Sequence, residues 1–256
     1  MNITLLVIGD EILRGKRQDR HLPFVIGLLG ERGLGLHQAR FVGDDERQIA
    51  AAIRDARHNG ELLLSCGGIG ATPDDRTRQA AAAAFERPLL RHTEGEALII
   101  AEYGERALPN RVLMADFPQG ASLIPNPVNR VAGFSVGNAH FVPGFPEMAW
   151  PMLTWVLDTR YPHLHNATPP VEFRLRVVGT TSEGDLLDLM EDTLARYPGL
   201  QLSSLPSRGG ADRPRHIEFG FRGTEGLAAG AYRHFESGLA RDFADLQRDP
   251  LAPPPA

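Results

Sequence analysis

Short apolar runs alternate with longer amphipathic stretches along the first third of the chain. Residues 4–8 are a β-rich apolar run that ends at Gly9, which is typical of a buried strand. The strand pattern recurs at residues 37–45 and 61–68, and apolar positions at helical spacing predict helices at 22–33, 46–60 and 77–85. This alternation predicts an α/β domain whose parallel sheet is joined by right-handed crossovers.

The pattern changes after residue 109. Short apolar runs separated by turn residues predict strands between residues 121 and 144, with Gly137-Asn138 as a hairpin turn. A helix is predicted at 146–160, and the proline-rich polar stretch 161–170 is typical of a linker. We therefore expect a first domain over residues 1–165.

A second, smaller unit is expected over residues 171–242. Its strand and helix patterns predict a small antiparallel sheet covered by two helices, an α+β domain. The core face of its first helix is expected to consist of Leu186, Leu187, Leu189 and Met190. Residues 243–256 are predicted to be a disordered tail.

The charge balance and the cysteine content narrow the class of protein. The net charge is −5 and the pI is about 6.0, which argues against nucleic acid as a main partner because nucleic-acid-binding domains usually carry a basic field. Cys66 is the only cysteine, so no internal disulfide forms and a reducing compartment fits. The N-terminal apolar run is too short for a signal peptide or a membrane span. We expect a cytoplasmic protein without a membrane contact.

Acidic or glycine-rich turns follow all three predicted strands of the first third. Asp10 and Glu11 follow the first strand, Asp44 and Asp45 the second, and residues 67–75 the third. Ligands of parallel sheets bind outside the carboxyl ends of the strands, so these turns are predicted to share one edge. Each acidic pair alone is equally well explained as a helix cap, but three such turns on one edge favour a site for a polyanion and a metal.

The third turn begins the stretch "CGGIGATPDDRTRQAAAAAF", residues 66–85. Gly67, Gly68 and Gly70 allow a sharp turn that exposes backbone amides before a helix, and such amides can bind an anion. Tight turns between a strand and a helix also use glycine without any ligand, so the cluster alone does not indicate a binding site.

The two aspartates of this stretch, Asp74 and Asp75, have two explanations. If Thr72 is the N-cap, both carboxylates only satisfy amides and complement the helix dipole. If Thr77 is the cap, they lie in the loop as free carboxylates, and a divalent cation such as Mg²⁺ would relieve their repulsion. The spacing does not decide between the two.

Five motifs of the chain occur in the order of a known family: GDEILRG, FVGDD, GGIGATPDDRT, FPQGASLIPN and FVPGFPEM. Together they resemble the molybdopterin-binding (MoaB/Mog-like) domain, and most closely the N-terminal domain of competence/damage-inducible, CinA-type proteins. The resemblance covers about residues 1–160 and implies a three-layer α/β/α fold. The second unit resembles, more loosely, the small domain that follows in CinA-type proteins. The chain ends where those proteins begin a nicotinamide-nucleotide deamidase domain, so that activity is not expected here.

The resemblance also implies roles for individual residues. In family members that handle pterins, the GGxG loop binds a ligand phosphate, and two aspartates serve metal-assisted adenylyl chemistry. By motif position the catalytic residues are Asp44 and Asp75, and the metal ligands are Asp44, Asp74 and Asp75; the family pattern favours Thr77 over Thr72 as the helix cap. The expected contacts with substrate or phosphate are Gly9, Asp10, Glu11, Gly67, Gly68, Ile69, Gly70, Thr72, Thr77, Arg130, Pro143, Gly144 and Glu147.

Three functions are carried forward from this resemblance. CinA-type members are linked to hydrolysis of ADP-ribose to AMP and ribose 5-phosphate with Mg²⁺ or Co²⁺ and K⁺, so the first is metal-dependent hydrolysis of such a phosphoanhydride. The alternative is a molybdopterin- or nucleotide-binding protein linked to molybdenum cofactor biosynthesis, without turnover. A scaffold role of the second domain is the third. The implied partners are a nucleotide or a pterin and further copies of the chain.

The chain departs from the family pattern in three places. Residues 19–21 stand where relatives have an Asn-rich segment, and Ala71 stands where they commonly have proline. Asn129, Arg130 and Val131 replace a glycine-threonine-alanine stretch. Arg130 adds a bulky cation there, which either binds a phosphate or narrows the pocket.

Overall fold

The computed structural model describes residues 1–210 and 214–255. The chain divides into two compact units, Met1–Asn166 and a second that begins at Ala167, inside the stretch predicted as a linker. Residues 211–213 of the predicted second domain and Ala256 of the predicted tail lie outside the described residues. No helix of the described part combines the length and the apolar character needed to cross a membrane.

The first unit contains a six-stranded sheet and a two-stranded one. Its strands are β1 (Ile3–Ile8), β2 (Gln38–Val42), β3 (Leu62–Cys66), β4 (Leu89–Arg91), β5 (Asp116–Pro118), β6 (Ser122–Ile124), β7 (Gly133–Val136) and β8 (Ala139–Val142). The large sheet has the order β2-β1-β3-β8-β7-β6, and β4 pairs with β5 alone. Strands β2, β1, β3 and β8 run parallel, whereas β7 is antiparallel to β8 and β6 is antiparallel to β7.

Six helices complete the first unit. They are α1 (Asp10–Leu13), α2 (His21–Gly30), α3 (Glu46–His58), α4 (Thr77–Phe85), α5 (Thr93–Tyr103) and α6 (Pro146–Arg160). Short 3-10 turns lie at Gly104–Ala107, Arg111–Ala115 and Pro162–Leu164.

The central strands explain the layering of this unit. Every residue of β1 and of β3 is buried, as expected for parallel strands covered on both faces. Leu5 and Val7 pack into one apolar cluster with α2 and α6, while Leu6 and Ile8 pack into a second cluster with α3 and α4. The predicted α/β class and its three-layer α/β/α arrangement are confirmed.

The strand register brings four loops to one edge of the sheet. Ile8 lies opposite Val42, and Cys66 lies opposite both Val7 and Val142. Because β1, β2, β3 and β8 are parallel, the turns that follow them meet at their common carboxyl edge. This positions the three turns that the sequence singled out, together with the Pro143-Gly144 turn after β8.

The second unit is a four-stranded antiparallel sheet with two helices. Its elements are β9 (Val171–Val178), α7 (Leu187–Arg196), β10 (Gln201–Ser207), β11 (His216–Gly223), α8 (Glu225–Asp242) and β12 (Gln247–Ala252). The sheet order β10-β11-β9-β12 and the β-α-β-β-α-β succession are those of the ferredoxin-like split βαβ arrangement.

Two details of the second unit differ from the sequence prediction. The tail predicted as disordered forms β12 at Gln247–Ala252, which pairs with β9. This edge strand has the sequence QRDPLA, which shows no alternation of apolar and polar residues, and it contains Pro250, which an edge strand tolerates. The sequence pattern therefore did not indicate a strand. Leu187 was expected in the core, but the residue is 48% exposed; it is the first residue of α7, directly after a 3-10 turn at Glu183–Leu186.

Candidate functional site

The loops at the carboxyl edge of the first unit enclose a cleft of about 440 Å³. Its polar lining residues are Glu11, Arg17, Asp44, Thr72, Asp74, Asp75, Asn126 and Asn129. Its glycine, alanine and proline backbone comes from Gly9, Gly67, Gly68, Gly70, Ala71, Pro143 and Gly144. Its apolar wall consists of Ile8, Ile69, Tyr103, Met114, Val131, Phe145 and Met148. Most of the residues predicted for the site therefore lie around one cleft.

Four predicted site residues do not line this cleft. Asp10 turns its carboxylate to Arg14, at 2.6 Å. Glu147 is exposed in the first turn of α6, and Arg130 is exposed with a left-handed φ of 57°. Thr77 is fully buried behind the glycine loop.

Gly67 stands where two strands and the loop meet. Its amide donates to the carbonyl of Val142 at 3.0 Å, its φ is +112°, and a Cβ there would overlap the backbone oxygen of Ile8. Glycine is therefore required at this position by both conformation and space.

The carbonyl groups of the glycine loop are held by the interior of the domain. The Thr77 hydroxyl donates to the carbonyl of Gly67 at 2.9 Å, and the Thr77 amide donates to that of Gly68 at 3.0 Å. The Arg78 guanidinium donates to the carbonyl of Gly70 at 2.7 Å. Thr77 and Arg78 are both buried and lie outside the cleft lining.

These contacts determine the direction of the loop amides. The peptide bonds of the loop are trans, because the cis bond found among the described residues is Leu108-Pro109. In a planar trans peptide the N–H points opposite to the preceding carbonyl. The amides of Gly68, Ile69 and Ala71 therefore point away from Thr77 and Arg78, towards the cleft, and none of them donates to another described residue. Three free donors in one loop that lines a cleft are the kind of group that can bind an anion.

The start of α4 corrects the predicted capping. The second explanation placed the N-cap at Thr77, but the helix already begins at Thr77, and Arg76 occupies the N-cap position without a side-chain cap. Neither Thr72 nor Thr77 caps the helix, because the Thr77 hydroxyl is already used by the carbonyl of Gly67.

Removing the Thr77 hydroxyl should destabilise the loop. We expect Thr77→Val to lower the free energy of unfolding by about 1–3 kcal/mol, because it leaves the buried carbonyl of Gly67 without a donor. Thr77→Ser keeps the hydroxyl and is the control. Denaturant unfolding compares the two variants, and equal stabilities would contradict the assignment.

Asp75 is not a free carboxylate, which was one of the two explanations that the sequence left open. Its Oδ2 accepts from the amide of Thr72 at 2.9 Å and from the Thr72 hydroxyl at 2.5 Å. Its own amide donates to the carbonyl of Thr72 at 3.0 Å. The aspartate closes the turn after the glycine loop, while its carboxylate still borders the cleft.

Asp44 and Asp10 connect the first two acidic turns. The Oδ2 atom of Asp44 accepts from the amide of Asp10 at 3.0 Å, and the amide of Asp44 donates to Oδ1 of Asp10 at 3.3 Å. Burial raises the pKa of the Asp44 carboxyl, the charges of Asp10, Glu11 and Asp74 raise it further, and the Asp10 amide opposes the increase. Asp44 is thus a carboxylate that a nearby cation would stabilise.

The three predicted metal ligands do not form a ready-made cluster. Within the described residues no three His, Cys, Asp or Glu side chains are grouped so that they could hold an ion. Asp75 turns back to Thr72, and the loop aspartate whose charge acts on Asp44 is Asp74. The donor set still fits Mg²⁺, which proteins often hold with one or two carboxylates while substrate phosphates and water supply the other ligands.

The segment that departs from the family pattern contributes Asn129 rather than Arg130. The Oδ1 atom of Asn129 accepts from the side-chain amide of Asn126 at 2.7 Å and from the backbone amide of Val131 at 3.1 Å. The side-chain nitrogen of Asn129 is thereby left as a donor in a residue that lines the cleft. Asparagine side chains often close turns in this way, and that tendency is a signal the sequence contained.

Arg78 is the residue whose importance the sequence analysis missed. It is 4% exposed, and besides Gly70 it donates to the carbonyls of Leu113 and Asp116. A cation in the first turn of an alanine-rich helix opposes the helix dipole, so its presence in "TRQAAAAAF" was an available signal. Arg17, on the loop after α1, also lines the cleft and carried no comparable signal.

The fold is a three-layer α/β domain in which a glycine loop and acidic turns surround a cleft at the carboxyl edge of the parallel strands. The family model of the "Probable molybdopterin binding domain" matches residues 4–164, and the chain belongs to this family. The family resemblance noted from the motifs is confirmed.

Individual relatives agree with this assignment. The chain is 32% identical over 190 residues to a CinA-like protein of Syntrophotalea carbinolica, covering 70% of this chain and 45% of that one. It is 27% identical over 219 residues to a protein of Pyrobaculum calidifontis, covering 82% of each. The crystal structure of a CinA protein of unknown function from Thermoplasma acidophilum is 29% identical, with a TM-score of 0.57, and covers 62% of this chain and 98% of that one. The chain spans less than half the length of the CinA-like relative.

Proposed function

We propose that the cleft binds a phosphate-bearing nucleotide or pterin and hydrolyses a phosphoanhydride of the ADP-ribose type. The observation that supports it is the set of free amides at Gly68, Ile69 and Ala71, held towards the cleft by interior donors to the carbonyls of the loop. Amides of this kind stabilise negative charge on phosphoryl oxygens without rearranging. The CinA-like relatives support the choice of substrate only through the family resemblance.

The acidic side of the cleft is the proposed place for a divalent cation, Mg²⁺ or Co²⁺. Asp44 and Asp74 would hold it beside the ligand phosphates, and Glu11 borders the same part of the lining. Bound there, the cation would offset the charge of the carboxylates and polarise a phosphoryl oxygen. K⁺ is a second proposed ion, without an assigned place.

The reaction needs one water molecule. Its hydroxyl adds to one phosphorus, the bridging P–O bond breaks, and the remaining proton ends on a released phosphate, so that ADP-ribose yields AMP and ribose 5-phosphate. The residues of the chain contribute by binding and orientation: the loop amides hold phosphoryl oxygens, and Asp75 keeps the turn closed through Thr72.

A second candidate is binding of molybdopterin or a nucleotide without turnover. It is favoured by the apolar wall, where Tyr103, Met114 and Phe145 suit a flat ring system, and by the absence of a ready-made metal cluster among the described residues. The family description is that of a molybdopterin binding domain, which supports the same ligand class.

Product analysis with ADP-ribose separates the two candidates. Purified protein is incubated with ADP-ribose, Mg²⁺ or Co²⁺ and K⁺, and AMP and ribose 5-phosphate are separated by chromatography; EDTA is the metal control. Metal-dependent AMP formation supports the hydrolase. Binding of ADP-ribose without products supports the second candidate. If ADP-ribose neither binds nor is converted, a phosphate site in this cleft is contradicted.

A further inference from the structure

Arg78 is a buried cation behind the glycine loop. Its side chain is 4% exposed, and its hydrogen-bond acceptors are the neutral carbonyls of Gly70, Leu113 and Asp116. Its Nε atom has no partner among the described residues. No carboxylate of the described chain lies within ion-pair distance of it.

The carboxylates whose charges act on Arg78 form their own hydrogen bonds with other residues. Asp116 and Asp75 are the ones whose charges act on Arg78. Asp116 pairs with Arg91 at 2.5 Å, and Asp75 accepts both donors of Thr72. The guanidinium therefore has no carboxylate at hydrogen-bond distance among the described residues, and only neutral carbonyls accept from it.

A purely structural role does not account for this charge. A neutral amide could donate to the same carbonyl of Gly70 without the penalty of burying a cation. The position in the first turn of α4 adds an unfavourable interaction with the helix dipole. A buried charge with neutral partners indicates that its counter-charge comes from outside the protein.

We propose that Arg78 is the positioning residue of the phosphate site. Through the carbonyl of Gly70 it turns the amide of Ala71 towards the cleft, and its charge acts across the loop on the bound phosphate. The proposal rests on the proposed function, since it needs a phosphate at the loop. Arg78 itself does not line the cleft, so it would act on a bound phosphate through the loop rather than by direct contact.

Three variants separate the charge of Arg78 from its hydrogen bonds. Arg78→Gln keeps a donor for Gly70 and removes the charge, whereas Arg78→Lys keeps the charge and loses the planar fork. Arg76→Gln is the matched control, because it removes the same charge from an exposed side chain two positions earlier. The probe is AMP with Mg²⁺, measured by calorimetry on the full chain.

The expected pattern is graded. Arg78→Gln should weaken AMP binding about tenfold or more, Arg78→Lys about threefold, and Arg76→Gln less than about twofold because solvent screens an exposed charge. Equal losses in the Gln and Lys variants of Arg78, or no loss in either, would overturn the proposal. A wild-type chain that does not bind AMP would instead overturn the proposed function itself.

The pH profile of AMP binding by Arg78→Lys is an independent test of the charge. It does not depend on whether Arg78→Gln folds. An ammonium buried at this place should lose its proton at a lower pH than an exposed lysine, whereas a guanidinium keeps its charge. AMP affinity of Arg78→Lys should therefore fall between about pH 7 and 10 while that of the wild type does not. Parallel pH profiles of the two proteins would contradict the role of the charge.

Discussion

Asp44→Asn should lower kcat/KM for metal-dependent ADP-ribose hydrolysis by about 10²–10³-fold, the range found when one electrostatic group of an active site is removed. The carboxylate is the proposed cation ligand most affected by its surroundings, since burial and three neighbouring acids raise its pKa. Asparagine keeps an oxygen that can accept from the amide of Asp10, so the turn itself is preserved. Steady-state kinetics at saturating Mg²⁺ measures the effect.

Asp45→Asn is the matched control for this substitution. Asp45 is the N-cap of α3, where its Oδ1 accepts from the amide of Gln48 at 2.9 Å, and it does not line the cleft. Asparagine is as good an N-cap as aspartate, so stability should change little. Equal activity losses in Asp44→Asn and Asp45→Asn would show that general charge, and not a cation site, underlies the effect.

Asp44→Asn should also raise the stability of the fold at neutral pH. A carboxyl whose pKa is raised on folding is more easily ionised in the unfolded chain, so its charge destabilises the native state at high pH. This destabilisation disappears as the pH falls through the raised pKa of the folded state and below the pKa of about 3.9 that an aspartate has in the unfolded chain. Thermal unfolding should place the melting temperature of Asp44→Asn above that of the wild type at pH 7, with the difference vanishing near pH 3.

Gly68→Ala should disrupt both the fold of the loop and its affinity for phosphate. Gly68 has a φ of +67°, and a Cβ there would overlap the Thr77 hydroxyl that holds the carbonyl of Gly67. We expect about 3 kcal/mol of destabilisation from the left-handed conformation and the displaced hydroxyl together, and at least a tenfold loss of AMP affinity.

Gly60→Ala is the control that isolates the overlap. Gly60 has the same φ of +67° but no atom within 4 Å of the added Cβ. Its substitution should cost only the conformational part, about 1–2 kcal/mol, and should not change AMP binding. If both alanine variants lose stability equally and keep their affinity for AMP, then Thr77 does not position the loop.

The position of the site was predictable because it depends on local signals. Residues 4–8 and 61–68 are apolar runs closed by glycine, and such runs become the central strands of a parallel sheet. Their carboxyl ends must then share an edge. The acidic turns and the glycine loop follow these strands directly, so the pattern was sufficient to bring them together.

The direction of individual groups was not predictable, because it depends on contacts distant in the chain. Arg78 meets carbonyls 35 and 38 positions later, and no spacing rule indicates such partners. The spacing of Asp75 left a free carboxylate and a capping carboxylate equally open, and in the structure Asp75 closes a turn with Thr72. Arg130 was the conspicuous departure from the family pattern, but it is exposed, has a left-handed φ of 57° and does not line the cleft. Its neighbour Asn129 lines the cleft instead.

The proposed function requires that the amides of Gly68, Ile69 and Ala71 bind a phosphate. The most direct test is a titration of ¹⁵N-labelled protein with AMP and Mg²⁺, followed through the amide resonances of the whole chain, with adenosine as the neutral control. We expect AMP, unlike adenosine, to produce its largest changes at these three amides, with shifts typical of new hydrogen bonds. AMP-dependent changes confined to the second unit, or AMP binding that leaves the three amides unmoved, would contradict it.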